Sequence, residues 1–306
     1  MNLQVKMVNV TNPGSALGEA IGKILETEIH RILKPLAEEK GCIYITAGPP
    51  NRKTGKDTKL ILTDSGGNAY NIDSVIINNL FQPLVIIESK YIRYKKHNRD
   101  KASWICTAHP KLRERYATIR KSIAVLMGNW SKPSKQLLKS FEVELFEISF
   151  DDICNILARH NINYNWQENA REQAMESWQT FCHISTDDRH QIAKELIATI
   201  EGGLKNSLEL ALDDSIPRAV DSVKVLIRSN LKETYTYVFS NLVETVEFLE
   251  SYNEERDMDT SSVPALLTGK SLEPEAAQLL IESEESEESQ LTSEQLELFE
   301  LDSEVE

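Results

Sequence analysis

Long apolar runs are missing from this sequence of 306 residues. No stretch approaches the roughly 18 consecutive apolar residues that a transmembrane helix needs. The first residues also lack the apolar core of a secretory signal. We therefore expect a soluble, cytoplasmic protein with no membrane partner. The length is sufficient for one large domain or two small ones with a sizeable apolar core.

Cysteine is scarce, with four residues scattered along the chain at Cys42, Cys106, Cys154 and Cys182. None of them belongs to a CxxC pair, so this spacing favours free, buried thiols over disulfides or a zinc site. The ATP-binding motif GxxxxGK[ST] is absent as well. We therefore expect the functional residues of the chain to be carboxylates and cations.

Two apolar strands predicted within residues 71–91 contain the most informative polar residues. The segment SVII is followed by a turn and then by LVIIES, which is apolar on both faces and is typical of a central, covered strand. A four-residue loop at 79–82 would pair position 78 with 83 and place Asp73 opposite Glu88. Lys90 lies two positions after Glu88, on the same face of the strand.

Directly opposed side chains on antiparallel strands have Cβ atoms about 4.5–5.5 Å apart. Two carboxylates at that distance, at the end of a buried strand, repel each other unless one is protonated or a cation lies between them. We therefore predict a divalent-metal site at Asp73 and Glu88 with Lys90 beside it. The alternative is an ion pair with a purely structural role.

An Asp on one strand and Glu-x-Lys on the next resembles the PD-(D/E)xK nuclease superfamily, which includes most type II restriction endonucleases. The resemblance covers about residues 15–160, and it departs from the motif at Ile72, where proline often stands. It implies that Asp73 and Glu88 bind Mg²⁺ and that Lys90 positions or activates the attacking water. The predicted helix of residues 15–40, with Ser15 as its N-cap, resembles the first helix of such nucleases. By that match Glu26, or else Glu19, supports the metal centre; an ordinary exposed helical glutamate is the alternative.

The predicted order of elements is helix, strand, hairpin, helix, strand and helix. CIYITAG (42–48) predicts the first strand, LILT a further strand, and FEVELFEIS the last strand. Apolar residues at helical spacing predict an amphipathic helix that Gly128 closes; they are Leu112, Tyr116, Ile119, Ile123 and Leu126. This order resembles the αβββαβ core of the superfamily, an α/β fold with a mixed central sheet flanked by helices.

Three regions follow from this assignment. Residues 1–160 form the nuclease core, and residues 161–255 form an extension of helices and a second β-hairpin. We expect this extension to provide DNA recognition or homodimer contacts. Residues 256–306 form an acidic tail that we expect to be disordered. Within it, residues 271–306 contain twelve Glu and one Asp but no Lys or Arg, which accounts for most of the formal net charge of −14.

Positive charge is concentrated between Lys90 and Ser140, where fourteen Lys and Arg accompany only Asp100 and Glu114. Such a concentration beside a predicted metal site is typical of a surface that binds a polyanion. A solvated basic face is the alternative. We favour double-stranded DNA as the partner, with candidate contacts at Arg93, Lys95, Lys96, Arg99, Lys101, Arg113, Arg120 and Lys121.

The resemblance implies a Mg²⁺-dependent DNA endonuclease. A type II restriction endonuclease is favoured because the core carries a modest extension and no ATPase motif. The first alternative is a repair, recombination or transposition nuclease on the same core. The second is a non-catalytic DNA-binding or interaction module in which Asp73, Glu88 and Lys90 are structural.

Overall fold

The computed structural model describes residues 10–52, 54–94, 98–167 and 169–258. The chain divides into two compact units, Met1–Pro217 and Arg218–Glu306. The tail from residue 259 onward, together with Lys95 and Lys96, lies outside the described residues. None of the described helices is long and apolar enough to cross a membrane.

The first unit is a mixed α/β structure. In chain order its elements are α1 (Pro13–Glu39), β1 (Ile43–Ile45), β2 (Ile61–Thr63), β3 (Ala69–Asn71), β4 (Ser74–Ile77), β5 (Pro83–Ile92), α2 (Asn98–Arg115), β6 (Lys121–Gly128), α3 (Lys132–Ser140), β7 (Val143–Ser149), α4 (Phe150–Arg159), α5 (Arg171–His183) and α6 (Thr186–Leu212). Five strands form the main sheet in the order β1-β4-β5-β6-β7, and β2 pairs with β3 in a separate ribbon. Strand β4 is antiparallel to both of its neighbours, β1 and β5, whereas β5, β6 and β7 are parallel. The sheet is therefore mixed, as predicted.

Helices cover both faces of the sheet. On one face α1 packs with α4, α5 and α6 over Val85 and Ile87 of β5. On the other face α2 and α3 pack over Ile86 of β5 and Leu126 of β6. Since alternate residues of β5 enter opposite cores, the strand is apolar throughout its first half, and its predicted central position is confirmed.

Helix α1 forms because its first turn is capped and one of its faces is apolar. Asn12, rather than the predicted Ser15, is the N-cap, and its side chain accepts a hydrogen bond from the Ser15 amide at 3.0 Å. Pro13 occupies the first turn, where the missing amide hydrogen costs nothing. Leu17 and residues one and two turns further on are fully buried, and the chain leaves the helix at Gly41 with a φ of 71°.

The prediction of one helix running to Gly128 was wrong. Helix α2 ends at Arg115, and Lys121–Gly128 is β6, a strand of the main sheet. The apolar positions at helical spacing belong to two elements joined at Tyr116–Arg120. Residues 122–127 are all buried, as expected for a strand covered on both faces, and a short apolar run of this kind does not distinguish helix from strand by periodicity. FEVELFEIS is a strand, β7, but it lies outside β6 at the edge of the sheet.

The hairpin of β4 and β5 differs from the prediction at its turn and agrees with it at its open end. The Asn78 amide donates to the Gln82 carbonyl at 3.0 Å, so the loop has three residues and the predicted pairing of 78 with 83 was wrong. A bulge follows: Ile77 pairs with Pro83, but Ile76 pairs with Val85, which leaves Leu84 as an extra residue on β5. The shorter loop shifts the pairing of β4 with β5 by one residue, and the bulge shifts it back. The register beyond the bulge is therefore the predicted one.

The second unit contains the predicted second hairpin and the helix after it. Strands β8 (Val223–Arg228) and β9 (Thr234–Phe239) pair antiparallel, followed by α7 (Leu242–Ser251) and a short α8 (Glu254–Asp257). Phe248 of α7 packs against Tyr237 of β9, with ring centroids 4.5 Å apart. This ring contact joins the helix to one face of the hairpin.

Candidate functional site

Asp73, Glu88 and Lys90 come together at the open end of the β4–β5 hairpin. The last paired residues, Ser74 and Ile87, place the preceding Asp73 opposite Glu88, as predicted. The Ser89 amide donates to Asp73 Oδ2 at 2.9 Å and holds that carboxylate against β5. Lys90 Nζ lies 2.8 Å from the same Asp73 oxygen and also pairs with Glu88 Oε2. One ammonium group therefore bridges two carboxylates.

Burial differs sharply among the three side chains. Glu88 is 0% exposed, whereas the side chains of Asp73 and Lys90 are 20% and 22% exposed. Burial raises the pKa of Glu88 to about 8; Lys90 opposes this change and Asp73 adds to it. Burial alone would lower the pKa of Lys90, but the two carboxylates outweigh it and raise that pKa. Near neutral pH the Glu88 carboxyl group therefore retains a proton much of the time, while Lys90 stays charged.

The Glu88 carboxyl group is not fully satisfied. When ionised, it has no donor in strict hydrogen-bond geometry at either oxygen among the described residues, although Oε2 touches the Lys90 ammonium as an ion pair. When protonated, it can donate to Asp73. A buried acceptor without a donor costs about 1–3 kcal/mol. Such a group is suited to accept a cation or a donor that binds from outside.

Magnesium fits this pair of carboxylates better than zinc does. No group of three or more His, Cys, Asp or Glu side chains suited to a metal occurs among the described residues. Zinc sites in proteins usually have three or four such ligands. Magnesium commonly takes only one or two carboxylates and completes its shell with water and phosphate oxygens. Asp73 and the unsatisfied Glu88 supply that number of carboxylates.

The helix α2 lines the same side of the site. Lys90 Nζ lies 5.7 Å from the centre of the Trp104 ring, and Lys101 Nζ donates to the Tyr91 carbonyl at 3.1 Å. Burial and the charge of Lys90 lower the pKa of Lys101, and Asp73 partly opposes them. His109, fully buried on α2, has its pKa lowered to about 3 by burial first and then by Arg113 and Lys90. Sequence reasoning missed His109, because an apolar helix face does not reveal one buried imidazole.

Glu26 is not brought to the two carboxylates by any described contact. It lies on α1, which covers the other face of the sheet, and it pairs with Lys23 at 3.0 Å and His30 at 3.5 Å. These partners, His30 first, lower its pKa to about 2.

A chain of polar contacts leads from Glu26 toward β4. His30 Nδ1 lies 2.9 Å from the Tyr44 hydroxyl, which donates to Ser74 Oγ at 3.1 Å. Ser74 is the chain neighbour of Asp73, so Glu26 is linked indirectly to the start of the site. In the sequence, this chain of contacts is indicated only by Tyr44 and Ser74, each of which is a polar residue within an apolar strand.

The candidate DNA contacts that the structure describes do not form one surface. Arg99 is exposed and Lys101 is half-buried beside the site, whereas Arg93 is only 7% exposed. Three others are paired elsewhere: Arg113 with Glu142 at 3.0 Å, Arg120 with Asp214, and Lys121 with Glu144 at 2.9 Å.

Lys121 marks how far those paired cations lie from the site. It is the first residue of β6 and pairs in register with Val85, five residues before Lys90 on β5. At about 3.3 Å per residue that separation is about 16 Å along the strand. The positive block in the sequence is therefore distributed over both ends of the sheet.

Comparisons with known proteins identify no family. No family model matches the chain, and no curated protein matches it. Among solved structures, the chain is similar to a crystal structure of a protein of unknown function, AF1548, at a TM-score of 0.28 and 12% sequence identity. That similarity covers 58% of this chain and 99% of the other. At this level it carries no argument about function.

Proposed function

We propose that this protein is a Mg²⁺-dependent DNA endonuclease that hydrolyses phosphodiester bonds. The observation that carries the proposal is the position of Asp73 opposite Glu88, with Lys90 in contact with both carboxylates. The order of elements α1, β1, β4, β5, α2 and β6 supports it, because this order has the αβββαβ arrangement expected of a restriction-endonuclease-like core.

Each of the three residues has a role in this proposal. Asp73 and Glu88 would hold the magnesium ion, which would neutralise phosphate charge and lower the pKa of a coordinated water. Glu88 would act as a ligand in its ionised form, without the proton that burial favours. Lys90 is close enough to both carboxylates to orient a water beside them by hydrogen-bond donation. Asp73 is held in place by the Ser89 amide.

Asp73, Glu88 and Lys90 are called the triad below. The energetics of the triad favour a catalytic role over a purely structural one. A buried ion pair contributes little net stability, because removing both groups from water offsets their attraction. Glu88 is fully buried and one of its oxygens lacks a donor. A strand end that kept these groups only for stability would gain more from apolar residues of the same size.

The experiment is cleavage of supercoiled plasmid by the full chain, with Mg²⁺ and with a chelator. We expect cleavage only with Mg²⁺, and a loss of about 100-fold or more in Asp73→Asn, Glu88→Gln and Lys90→Met. Glu38→Gln, an exposed carboxylate on α1, is the matched control. Cleavage that persists in chelator, or a wild-type rate in Asp73→Asn, would overturn the metal site and favour the non-catalytic binding module.

The products distinguish the biological settings. Discrete fragments with 5′-phosphate and 3′-hydroxyl ends would support a type II restriction endonuclease. Cleavage confined to branched or damaged DNA would support a repair or recombination nuclease. The absence of an ATP-binding motif from the sequence favours the first setting.

A further inference from the structure

A cavity of about 640 Å³ opens at the carboxyl end of β5, immediately after the candidate metal site. Its walls come from the first turns of α1, from Tyr91 to Tyr94 at the end of β5, from Lys101 of α2 and from the start of α5. Tyr91 follows Lys90 directly in the chain. The cavity contains neither carboxylate, and it shares Lys101, which also lies close enough to Lys90 and Asp73 to interact with their charges.

Arg93 is a buried cation in this wall, with no acidic partner among the described residues. It is 7% exposed, and none of the described carboxylates forms an ion pair with it. Its guanidinium lies 3.9 Å from the ring centre of Trp166 and 4.3 Å from that of Tyr164, and Nη2 donates to the Trp166 carbonyl at 3.0 Å. Nε and Nη1 meet no acceptor in strict hydrogen-bond geometry among the described residues, although the guanidinium also interacts with the Tyr164 hydroxyl.

A buried charge of this kind is costly unless a counter-charge is present. The aromatic rings beside Arg93 offset part of that cost but supply no negative charge. A bound anion in the adjoining cavity would supply it. The unpaired guanidinium is therefore the first observation that indicates an anionic ligand.

Two helices begin at the same cavity. Gly14 and Ser15 belong to the first turn of α1, a helix of 27 residues, and Arg171 is the first residue of α5. The N-cap of α5, Ala170, makes no side-chain capping hydrogen bond. The N-termini of helices carry partial positive charge, which favours phosphate. The Ser15 amide already donates to Asn12 and the Arg171 amide to Asn169, so the helix charge is the main contribution of these two ends.

The charges that line the cavity match a dianion. Among the described residues that line it, the cations are Arg93, Lys101 and Arg171 and the carboxylate is Glu19, so positive charge predominates by two within that set. A phosphate monoester carries about −1.5 to −2 charges at neutral pH. We propose that this cavity binds the phosphate group of a phosphorylated ligand, with Arg93, Lys101 and Arg171 as its counter-charges.

The phosphate could belong to the end of a nucleic-acid strand or to a small phosphorylated molecule, and both share this chemistry. Binding to full-length protein should therefore be measured calorimetrically with four probes. They are inorganic phosphate, a nucleoside 5′-monophosphate, and a short oligonucleotide with either a 5′-phosphate or a 5′-hydroxyl. Tighter binding of the 5′-phosphorylated oligonucleotide than of both its hydroxyl counterpart and the mononucleotide identifies a strand end. Equal binding of the mononucleotide and the 5′-phosphorylated oligonucleotide identifies a small molecule.

Charge substitutions of opposite sign test the site. Arg171→Gln, on the exposed rim, and Arg93→Gln should each weaken phosphate binding about 10- to 100-fold, as expected for loss of a charge-assisted contact. Glu19→Gln should strengthen binding, and Lys139→Gln, at the exposed end of α3, should leave it unchanged. Arg171 and Glu19 are exposed, so these two variants report on the site even where Arg93→Gln fails to fold.

Two results would overturn the proposal. One is no measurable binding of inorganic phosphate, mononucleotide or 5′-phosphorylated oligonucleotide beyond that of the hydroxyl oligonucleotide. The other is phosphate affinity that is the same in Arg171→Gln, Glu19→Gln and wild type. Phosphate binding should also persist in Asp73→Asn, so failure of this site and failure of the nuclease proposal give different results.

Discussion

Lys90 Nζ lies 2.8 Å from Asp73 Oδ2 and pairs at the same time with the buried Glu88. The lysine therefore stands where a divalent cation would neutralise the same two carboxylates. Because each positive group can replace part of the other's effect, the stability of the fold and the binding of magnesium should be coupled at this position.

Lys90→Met should expose that coupling. Without divalent ions, the free energy of unfolding should fall by about 1–3 kcal/mol, because Glu88 loses its neighbouring cation while still buried. Saturating Mg²⁺ should recover more stability in the variant than in wild type, since the ion takes over the neutralising role. Urea unfolding with Mg²⁺ and with chelator measures both quantities. Lys132→Met, exposed on α3, is the control. No difference between the two proteins in their response to Mg²⁺ would contradict the coupling.

The raised pKa of Glu88 predicts how stability depends on pH. Its folded pKa is about 8 against an ordinary value of 4.5, so between these values the folded state holds a proton that the unfolded state has lost. This contribution is fully present below pH 4.5 and is lost as pH rises through 8. The free energy of unfolding should fall by at most about 1.4 kcal/mol per pH unit in that window.

Glu88→Gln isolates this contribution, because the amide does not titrate. In chelator, the slope between pH 5.5 and 8 should be shallower in Glu88→Gln than in wild type, on the order of 1 kcal/mol per unit. Glu38→Gln, an exposed carboxylate, should keep the wild-type slope. Parallel profiles for Glu88→Gln and wild type would show that Glu88 is ionised in the folded protein.

The sequence was sufficient to predict the triad and insufficient to predict the sheet around it. Alternation along strands, a local rule, relates Asp73, Glu88 and Lys90. The predicted loop length was wrong, but the bulge at Leu84 restored the register, so the predicted positions of these residues were correct. The same reasoning from residue spacing did not predict strand β6. Residues 123–127 are apolar without a break, so only their place between β5 and β7 decides that they form a strand.

The surroundings of the triad depended on contacts between distant segments. The stacking of Arg93 on Trp166 joins residues 73 positions apart, and no spacing rule predicts it. In the same way, Arg120 pairs with Asp214, which follows α6, and Lys121 pairs with Glu144 of β7. The run of positive charge in the sequence therefore indicated that the segment is basic, but it did not predict which of its cations lie together in the structure.

Glu26 should matter less to cleavage than Asp73 does. Its contacts with Lys23 and His30 lie on the helix that covers the other face of the sheet. We expect Glu26→Gln to reduce the cleavage rate by less than about tenfold, against 100-fold or more for Asp73→Asn. Tyr44→Phe, which cuts the chain of contacts between His30 and Ser74, should lower the free energy of unfolding by about 1–2 kcal/mol. A loss in Glu26→Gln equal to that in Asp73→Asn would place Glu26 in the metal centre.

Phe81 at the tip of the β4–β5 hairpin should be a destabilising residue. It is 77% exposed, and its φ of 60° lies in the left-handed region that costs a residue with a side chain about 1 kcal/mol. Phe81→Gly should therefore raise the free energy of unfolding by about 0.5–1 kcal/mol in urea. Leu80→Gly, at an equally exposed neighbour without a positive φ, should not stabilise the protein. A decrease in stability for Phe81→Gly would show that the aromatic ring makes a favourable contact.

The two groups of cations should differ in how they affect DNA binding. The logarithm of affinity falls with the logarithm of salt concentration by about 0.9 per phosphate contact. Arg99 and Lys101 lie on the first turn of α2, where Lys101 interacts with the charge of Lys90, whereas Arg120 and Lys121 are held in ion pairs at the far end of β6. Replacing Arg99 and Lys101 together with Gln should therefore flatten the salt slope by up to about two units.

The matched double replacement of Arg120 and Lys121 removes the same charge from the chain. It should leave the salt slope within about half a unit of wild type, because those side chains are already neutralised by Asp214 and Glu144. Binding titrations of one duplex from low to moderate salt, in chelator to prevent cleavage, give both slopes. An equal change in the two double variants would mean that net charge alone governs binding. A larger change for Arg120 and Lys121 would place the DNA at the opposite end of the sheet from Asp73.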